Sequence, residues 1–242
     1  MENAPHINIA GNNVPPELSE KFYKWYEGAY AALWLKIPGL SGLDRYQIVK
    51  KNIDYPGNIS IYHHKNRNAL MEFLNDETRL ALVKDQQTTF YRIERVWHDG
   101  FALTRNFRND VSLTETTMVD DASIIHIEGY KLPPTEFENY DQWFMKWASH
   151  VYIPILMKTP GLKGYNCLKW TDAPIRWDDT KYLKTEIPPY ISILYFENMA
   201  AFQNYSESLE YIAFKRNMEL EFPGSLSIIW NVEYQLVKSW RK

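Results

Sequence analysis

The sequence has few of the features that mark specialised protein classes. Its single cysteine, Cys167, excludes a disulfide within the chain and a cysteine-rich zinc site. No apolar run approaches the roughly 18 residues of a membrane-spanning helix, and the first residues lack the basic-then-apolar order of a signal peptide. No block of Lys or Arg indicates nucleic acid or an anionic membrane as a partner. These absences favour a soluble, cytoplasmic protein.

Motifs of several common catalytic classes are also missing. There is no Gly-rich phosphate loop, no Gly-x-Ser-x-Gly and no His-Glu-x-x-His. The six histidines are scattered, without a spacing typical of metal ligands. Adjacent His63 and His64 project to opposite faces of a predicted strand and do not form a simple chelating pair. The sequence therefore predicts neither a bound metal nor a cofactor.

What the sequence does contain is an internal repeat, in a chain of which 15% is aromatic. Residues 22–42 read FYKWYEGAYAALWLKIPGLSG, and residues 144–164 read FMKWASHVYIPILMKTPGLKG. Nine of these 21 positions are identical at a constant offset of 122. We interpret the chain as a tandem duplication. The predicted domains are residues 1–108 for the first half, 109–121 for a linker and 122–242 for the second half.

Each half is predicted to begin with a strand and an amphipathic helix. Apolar residues alternate around Ile9 and around Ile127, which predicts a short strand stopped by a double proline. Apolar spacings of three and four then predict a helix over residues 22–36 and over 144–158. The Pro-Gly pair ends each helix, and Pro154 should kink the second one or end it early.

The remainder of each half adds two strands, a second helical region and a closing strand. The helical regions are predicted over residues 69–90 and 201–222, with Asn66 and Asn198 as their N-caps. The second half carries about ten extra residues between its middle strands, around 171–188, where an added loop often has a functional role. Each half thus has the order βαββαβ of ferredoxin-like domains.

One such half has helices on one face of its sheet and leaves the other face bare, so that face needs a partner. Two fused copies can pack their sheets face to face. The arrangement resembles the dimeric α/β-barrel superfamily along nearly the whole chain. The expected fold class is therefore α+β, with two ferredoxin-like βαββαβ halves forming an intramolecular dimeric α/β-barrel.

The helix-to-turn segment of the second half resembles the EthD-like branch of that superfamily. In that branch a His-x-Pro-Leu-like tetrapeptide precedes a Pro-Gly-Leu turn and an aromatic residue. Here Tyr152-Ile-Pro154-Ile is followed by Pro160-Gly-Leu162 and then by Tyr165. Tyrosine stands where the family usually has histidine, so the family's acid/base role does not transfer directly.

A second segment resembles plant polyketide cyclases of the same superfamily, which carry a tyrosine and, six residues later, a catalytic histidine. Tyr205 matches the tyrosine and Tyr211 replaces the histidine, whereas the first half has Phe73 and Arg79 there. The superfamily includes cyclases, muconolactone isomerases, cofactor-free monooxygenases and haem enzymes, so the resemblance indicates the fold more specifically than the reaction.

The candidate site residues lie mostly where the second half has gained a polar group. His126 replaces Asn8 and Glu128 replaces Ala10, and the two share one strand face, where the carboxylate can orient the imidazole or raise its pKa. The candidate catalytic residues are His126, Glu128, His150, Tyr152, Tyr205 and Tyr211. The candidate substrate-binding residues are His63, Tyr165, Trp170, Trp177 and Trp230.

The preferred function is a cofactor-independent cyclase, isomerase or lyase that acts on a small aromatic or polyketide-like molecule by His/Tyr acid–base chemistry. Two alternatives stay open: a catalytically silent ligand-binding or assembly protein, and a haem- or oxygen-using monooxygenase of the same superfamily. The expected partner is a small aromatic or hydrophobic ligand, and pairing of two chains into a homodimer is left open.

Overall fold

The structure is a computed structural model of the 242-residue chain. It describes residues 3–108, 122–131, 150, 153–172, 186–221 and 227–242. Several predicted features lie outside these ranges: the linker over 109–121, most of the helix over 144–158 and most of the insertion around 171–188, with Tyr152 and Trp177.

Eight strands are present in the described part of the chain. They are β1 (His6–Asn13), β2 (Gly42–Ile48), β3 (Asn58–His64), β4 (Glu94–Arg108), β5 (Ile124–Lys131), β6 (Leu162–Trp170), β7 (Tyr190–Phe196) and β8 (Ser227–Arg241). Their hydrogen-bonded order is β1-β3-β2-β8-β5-β7-β6-β4, which closes into a barrel of antiparallel strands. The fold is therefore α+β with an eight-stranded antiparallel barrel.

The described part of the chain contains seven α-helices. They are α1 (Pro16–Trp25), α2 (Ala31–Lys36), α3 (Arg67–Asn75), α4 (Glu77–Thr89), α5 (Ile153–Leu156), α6 (Met199–Ser206) and α7 (Leu209–Glu221). A π-helical segment (Tyr26–Tyr30) separates α1 from α2, with Gly28 outside helical geometry. No described helix is both long enough and apolar enough to cross a membrane.

Each predicted second helical region is two helices rather than one. In the first half, Asp76 is extended and its carboxylate accepts a hydrogen bond from the backbone N–H of Arg79 at 3.1 Å, which caps α4. In the second half, the break falls between Ser206 and Leu209. The N-caps predicted at Asn66 and Asn198 are confirmed, since each side chain accepts a backbone N–H bond of 2.9 Å.

The chain divides into two compact units. The first contains Met1–Thr104, Lys169–Ile187 and Tyr234–Lys242, and the second contains Arg105–Leu168 and Pro188–Glu233. The long strands β4 and β8 each contribute one portion to each unit. The predicted domain limits follow chain order and stay a prediction.

Strand pairing has the same register in both halves. In the first unit Ile9 pairs with Ile61 between β1 and β3. In the second unit Ile127 pairs with Ile193 between β5 and β7. The offsets, 118 on the first strand and 132 on the second, hold along both ladders. Residues of β1 can therefore be compared one by one with residues of β5.

The Pro-Gly turn that ends the first helix requires glycine. Gly39 has a φ of 78°, a left-handed conformation that other residues rarely adopt. A Cβ at this position would lie 2.0 Å from the backbone oxygen of Ala69. The equivalent Gly161 has a φ of 79°. The predicted turn is therefore present in both halves. In each half the turn glycine lies close to the first turn of a later helix, at Ala69 of α3 and at Ala201 of α6.

Trp230, a predicted substrate-binding residue, lies on β8. Its side chain is buried to 1% exposure. A Cβ at Gly129 would lie 2.8 Å from it, so glycine is needed for the close approach of β5. Gly11 makes the matching approach to Trp97 in the first unit.

Candidate functional site

In the second unit, His126 lies between two carboxylates. Its Nδ1 atom is 3.1 Å from Oε1 of Glu233, within hydrogen-bond distance. Its Nε2 atom is 3.2 Å from Oε1 of Glu128, close enough for an ion pair but not aligned for a hydrogen bond. His126 and Glu128 are 2% and 1% exposed, so they are a buried pair rather than a pair at the solvent edge. The prediction that they share one face of a strand is confirmed.

Phenols and one cation surround this network. The hydroxyl of Tyr130 donates a hydrogen bond to Oε2 of Glu128. The Phe202 ring packs on the imidazole of His126 at a centroid distance of 5.3 Å. Lys215 of α7 lowers the pKa of Glu128, and both glutamates raise the pKa of Tyr211, which burial already raises. Two carboxylates thus face one imidazole in a largely apolar cluster.

The network holds His126 in its protonated form at neutral pH. Burial alone would lower the pKa of His126, but the two glutamates raise it to about 9. Burial would raise the pKa of Glu128 and of Glu233, but contact with His126 lowers both. An imidazolium with carboxylates at both nitrogens is a poor general base. The expected base role of His126 is therefore not supported by its protonation state.

The first prediction concerns the pH dependence of stability. A pKa raised from 6.5 to about 9 on folding stabilises the protein fully below pH 6.5, and this contribution is lost as the pH rises through 9. At about 1.4 kcal/mol per pKa unit, the difference corresponds to about 3 kcal/mol. The melting temperature should fall between pH 6.5 and 9.5. In the double variant His126→Leu/Glu128→Gln the fall should be smaller, and an equal fall in both proteins would contradict the assignment.

The remaining candidate catalytic residues of the second half are only partly brought together. Tyr205 and Tyr211 are both buried, with ring centroids 4.6 Å apart, because they lie on different helices, α6 and α7. His150 is exposed. Tyr165 shares the apolar cluster of this unit, and its hydroxyl lies 2.6 Å from the Ser192 hydroxyl.

Two predicted substrate-binding residues belong to the first unit, where each contacts an aspartate. The indole N–H of Trp170 donates a 3.3 Å bond to Asp99, whose pKa burial raises to about 6. Nε2 of His63 is 2.8 Å from Oδ2 of Asp44. Burial acts to raise the pKa of Asp44, but His63 and Arg241 hold it at about 2. His63 and Trp170 thus belong to the first unit, whereas His126 belongs to the second.

The first unit contains a cavity between β1, β4 and the helices. Its volume is about 20 Å³, which exceeds the roughly 10–15 Å³ needed to hold one water molecule. Its lining residues are Asn8, Ala10, Asn12, Tyr26, Trp34, Tyr62, Arg79, Gln86, Arg95, Trp97 and His98. Asn8, Ala10 and Asn12 occupy the β1 positions that correspond to His126, Glu128 and Tyr130 on β5. The two units therefore carry different polar side chains at equivalent strand positions.

Cationic and neutral polar groups line this cavity, and none of the described residues that line it is a carboxylate. Arg79 is 2% exposed. Burial, together with Arg79 and Arg95, lowers the pKa of His98 well below its usual value, so its imidazole is neutral at neutral pH. Nε2 of His98 lies 3.5 Å from Nδ2 of Asn8. The cavity thus combines a proton acceptor with a buried cation.

Sequence reasoning missed most of this cavity because it favoured gains in the second half. Arg79 was noted only as the counterpart of Tyr211, and His98 had no matched histidine to draw attention to it. Glu233 escaped notice because it lies within a long strand that also supplies exposed positions. A comparison of the polar differences on both the helices and the strands, in both directions, would have identified Arg79 on α4 and His98 on β4. Among the described residues, no group of three His, Cys, Asp or Glu side chains is placed to hold a metal ion.

No protein-family model matches the chain, and no curated protein matches it either. Solved structures do match it. An anthrone oxidase-like protein is similar over 99% of this chain and 93% of its own, with a TM-score of 0.63 and 13% identity. A protein from Fusobacterium nucleatum subsp. nucleatum, described as a monooxygenase, is similar over 100% and 96%, with a TM-score of 0.64 and 11% identity. A substituted form of chlorite dismutase from Candidatus Nitrospira defluvii is similar over 98% and 93%, with a TM-score of 0.55 and 9% identity.

These similarities show that the chain has the fold of dimeric α/β-barrel proteins, as the sequence predicted. The preferred function is corrected, because the three similar structures are named for oxidase, monooxygenase and dismutase reactions and not for a cyclase, isomerase or lyase. The superfamily resemblance on which that expectation depended indicates the fold, and one fold supports several reactions.

Haem does not fit His64, His98 or His126. An axial histidine needs a ring nitrogen directed to the iron beside a cavity that accepts the porphyrin. Both nitrogens of His126 face carboxylates, and His64 is buried with its ring on Phe73 and its Nδ1 2.9 Å from the Gly39 carbonyl. The cavity beside His98 is about 20 Å³, far too small for a porphyrin. No step through haem is derived for these residues.

Proposed function

We propose that the protein is an oxygen-using enzyme of the monooxygenase type, acting on a small aromatic molecule whose reacting group enters the cavity of the first unit. The observation that carries this proposal is the whole-chain fold similarity to proteins named as an anthrone oxidase-like protein and a monooxygenase. The cavity supports it, because aromatic rings (Tyr26, Trp34, Tyr62 and Trp97) surround a neutral histidine and a buried guanidinium.

The proposed reaction oxidises an activated CH₂ group, next to a carbonyl or an aromatic ring, with O₂. Loss of a proton from the CH₂ group leaves an enolate, which donates electrons to O₂ and forms a C–O bond. The O–O bond then breaks with loss of the second C–H proton. One oxygen atom becomes the new carbonyl and the other leaves as water, so CH₂ and O₂ become C=O and H₂O. The substrate supplies all the electrons.

Two residues have direct roles in this scheme. His98 accepts the substrate proton, because its depressed pKa leaves a neutral ring nitrogen at neutral pH. Arg79 stabilises the enolate oxygen, since a buried cation acts most strongly where water is excluded. Asn8 lies beside His98 and positions it. The cavity of about 20 Å³ admits only the reacting group, so the ring of the substrate stays outside it.

A second candidate site is the predicted one in the second unit, favoured by the buried contact between His126 and Glu128. Tyr205 and Tyr211 supply phenols near it. Its two carboxylates outnumber its one imidazolium, so it carries net negative charge before Lys215 is counted. An enolate is destabilised by such surroundings. The first unit therefore suits the proposed reaction better.

We also propose that the two halves are ferredoxin-like repeats that arose by duplication of one EthD-like unit. Three features support this: the matched strand registers, the paired glycine turns and the paired asparagine caps. On this proposal the sites on β1 and β5 were once equivalent and have since diverged in charge.

The experiment is oxygen-electrode measurement with a panel of ketones that carry an acidic CH₂ group next to an aromatic ring. The expected result is consumption of about one O₂ per substrate molecule, with a carbonyl product and no hydrogen peroxide. Absorption spectra of the purified protein in the Soret region accompany the assay. A product that is cyclised or isomerised without O₂ consumption would reject the proposed function.

A further inference from the structure

The cavity of the first unit has a positive charge that the described chain does not balance. Arg79 is 2% exposed, and its Nη1 donates a 2.9 Å hydrogen bond to the backbone oxygen of Leu74. Its guanidinium lies 5.4 Å from the Phe73 ring centroid. The buried Nε atom has no hydrogen-bond partner, and no carboxylate among the described residues forms an ion pair with Arg79.

Such an arrangement is costly for the protein alone. A buried guanidinium is normally paired with a carboxylate and has its N–H groups satisfied, because removal from water otherwise disfavours the charge. Burial lowers the pKa of Arg79, which is the sign of that penalty. Neighbouring Tyr30 and Tyr62 offer only neutral phenols, since burial raises both their pKa values well above the usual range. The compensating charge is therefore expected from a ligand.

In the second unit, the chain itself supplies a carboxylate at the equivalent position. There the β5 position matching Ala10 is Glu128, which pairs with His126. In the first unit alanine removes that carboxylate, while Arg79 stands where the second unit has Tyr211. At these equivalent positions the second unit has an internal ion pair, and the first unit has the Arg79 cation beside the cavity.

A second buried polar group in the cavity also lacks a partner. Asn8 is 1% exposed, and its Oδ1 atom makes no hydrogen bond within the described part of the chain. Its amide can be turned to present either the oxygen or the NH₂ group. A polar ligand in the cavity would satisfy both Asn8 and the Nε–H of Arg79.

We propose that this cavity is a binding site for a small planar oxyanion, a carboxylate or an enolate, held by the guanidinium of Arg79. The guanidinium fork matches the two coplanar oxygen atoms of a carboxylate, and its N–H groups can also donate to the single oxygen atom of an enolate. The volume of about 20 Å³ limits the enclosed part of the ligand to the anionic group itself. The inference rests on the proposed function in one respect: it assumes that the anion bound in this cavity is the substrate. It names the substrate class as anionic in its bound form.

The test uses the full chain and a matched pair of probes, formate and formamide, which have the same size and differ in charge. Binding is followed by the melting temperature and by titration calorimetry in a weakly coordinating buffer. Formate should raise the melting temperature in a saturable way, and formamide should not. Arg79→Met should weaken formate binding about 10- to 100-fold, the range for a lost hydrogen bond to a charged group.

Control variants separate the site from general salt effects. Arg92→Met removes an exposed arginine that pairs with Glu17, so formate binding should be unchanged. Arg79→Lys should bind formate with intermediate affinity, since it keeps the charge and loses the fork. Without formate, Arg79→Met should be at least as stable as the unsubstituted protein, because it removes an unpaired buried charge.

The outcomes divide clearly. Equal stabilisation by formate and formamide, or by formate and chloride, would overturn a planar-oxyanion site. Formate binding that persists in Arg79→Met would place any anion elsewhere and would also overturn it. Failure of the oxygen assay alone would reject the proposed reaction but leave the formate result intact, so the two ideas fail separately.

Discussion

Replacing His126 by alanine is expected to destabilise the protein by about 3–5 kcal/mol, the usual cost of breaking a buried ion pair by removing one partner. The substitution leaves Glu128 and Glu233 with no cation between them. Glu128 is 1% exposed, so without the His126 cation its carboxylate must protonate or the unit must open. The midpoint of urea unfolding, followed by tryptophan fluorescence, measures the effect.

Two further variants show that charge rather than volume is responsible. His126→Leu/Glu128→Gln removes the imidazolium and one carboxylate together and should recover most of the loss, since apolar or neutral replacements of a buried pair are often nearly neutral. Asn8→Ala, at the matching position of β1, should cost far less because Asn8 has no ion pair. An unfolding midpoint for His126→Ala equal to that of the unsubstituted protein would show that the network contributes nothing.

The second large effect is expected on turnover. Once a substrate is found, His98→Ala should lower kcat about 10²- to 10⁴-fold, because it removes the proposed proton acceptor. Arg79→Met should lower kcat about 10²- to 10³-fold, because it removes the cation that stabilises the developing negative charge. Stopped-flow oxygen consumption with saturating substrate measures both.

A pH profile distinguishes catalysis from folding in these variants. The unsubstituted enzyme should keep its rate down to pH values well below 6.5, since the pKa of His98 is depressed by burial and by Arg79. Arg79→Met should move the acidic limb of the profile to higher pH, because one cause of the lowered pKa of His98 is removed. Full turnover in His98→Ala, together with loss of turnover in Tyr211→Phe, would instead place the reaction in the second unit.

The fold was largely predictable because each element of the first repeat could be compared with its counterpart in the second. The Pro-Gly turn, the asparagine caps and the alternating strands each occur twice, and each has a local physical cause. The helix breaks were less visible: Asp76 caps α4 within a continuous apolar pattern, and Gly28 interrupts the first helix without a proline. Both breaks have local causes, an N-cap and a glycine, which the apolar periodicity alone does not reveal.

The site was predictable only in part. The contact of His126 with Glu128 could be predicted, because residues two apart on a strand point to the same face. The contact of His126 with Glu233 joins residues 107 apart, and the meeting of Arg79, His98 and Asn8 depends on how α4, β4 and β1 come together. No local pattern encodes such long-range contacts. Reaction type is further removed from sequence, because the same barrel supports several chemistries.

The most direct test of the proposed function is turnover under ¹⁸O₂ in ordinary water, with mass spectrometry of the product. Monooxygenation of a CH₂ group predicts a product carbonyl that carries one ¹⁸O atom when it is trapped before exchange, with the other ¹⁸O atom in water. Loss of this labelled product in His98→Ala would tie the reaction to the first unit. A product that forms without ¹⁸O and without O₂ consumption would contradict the account.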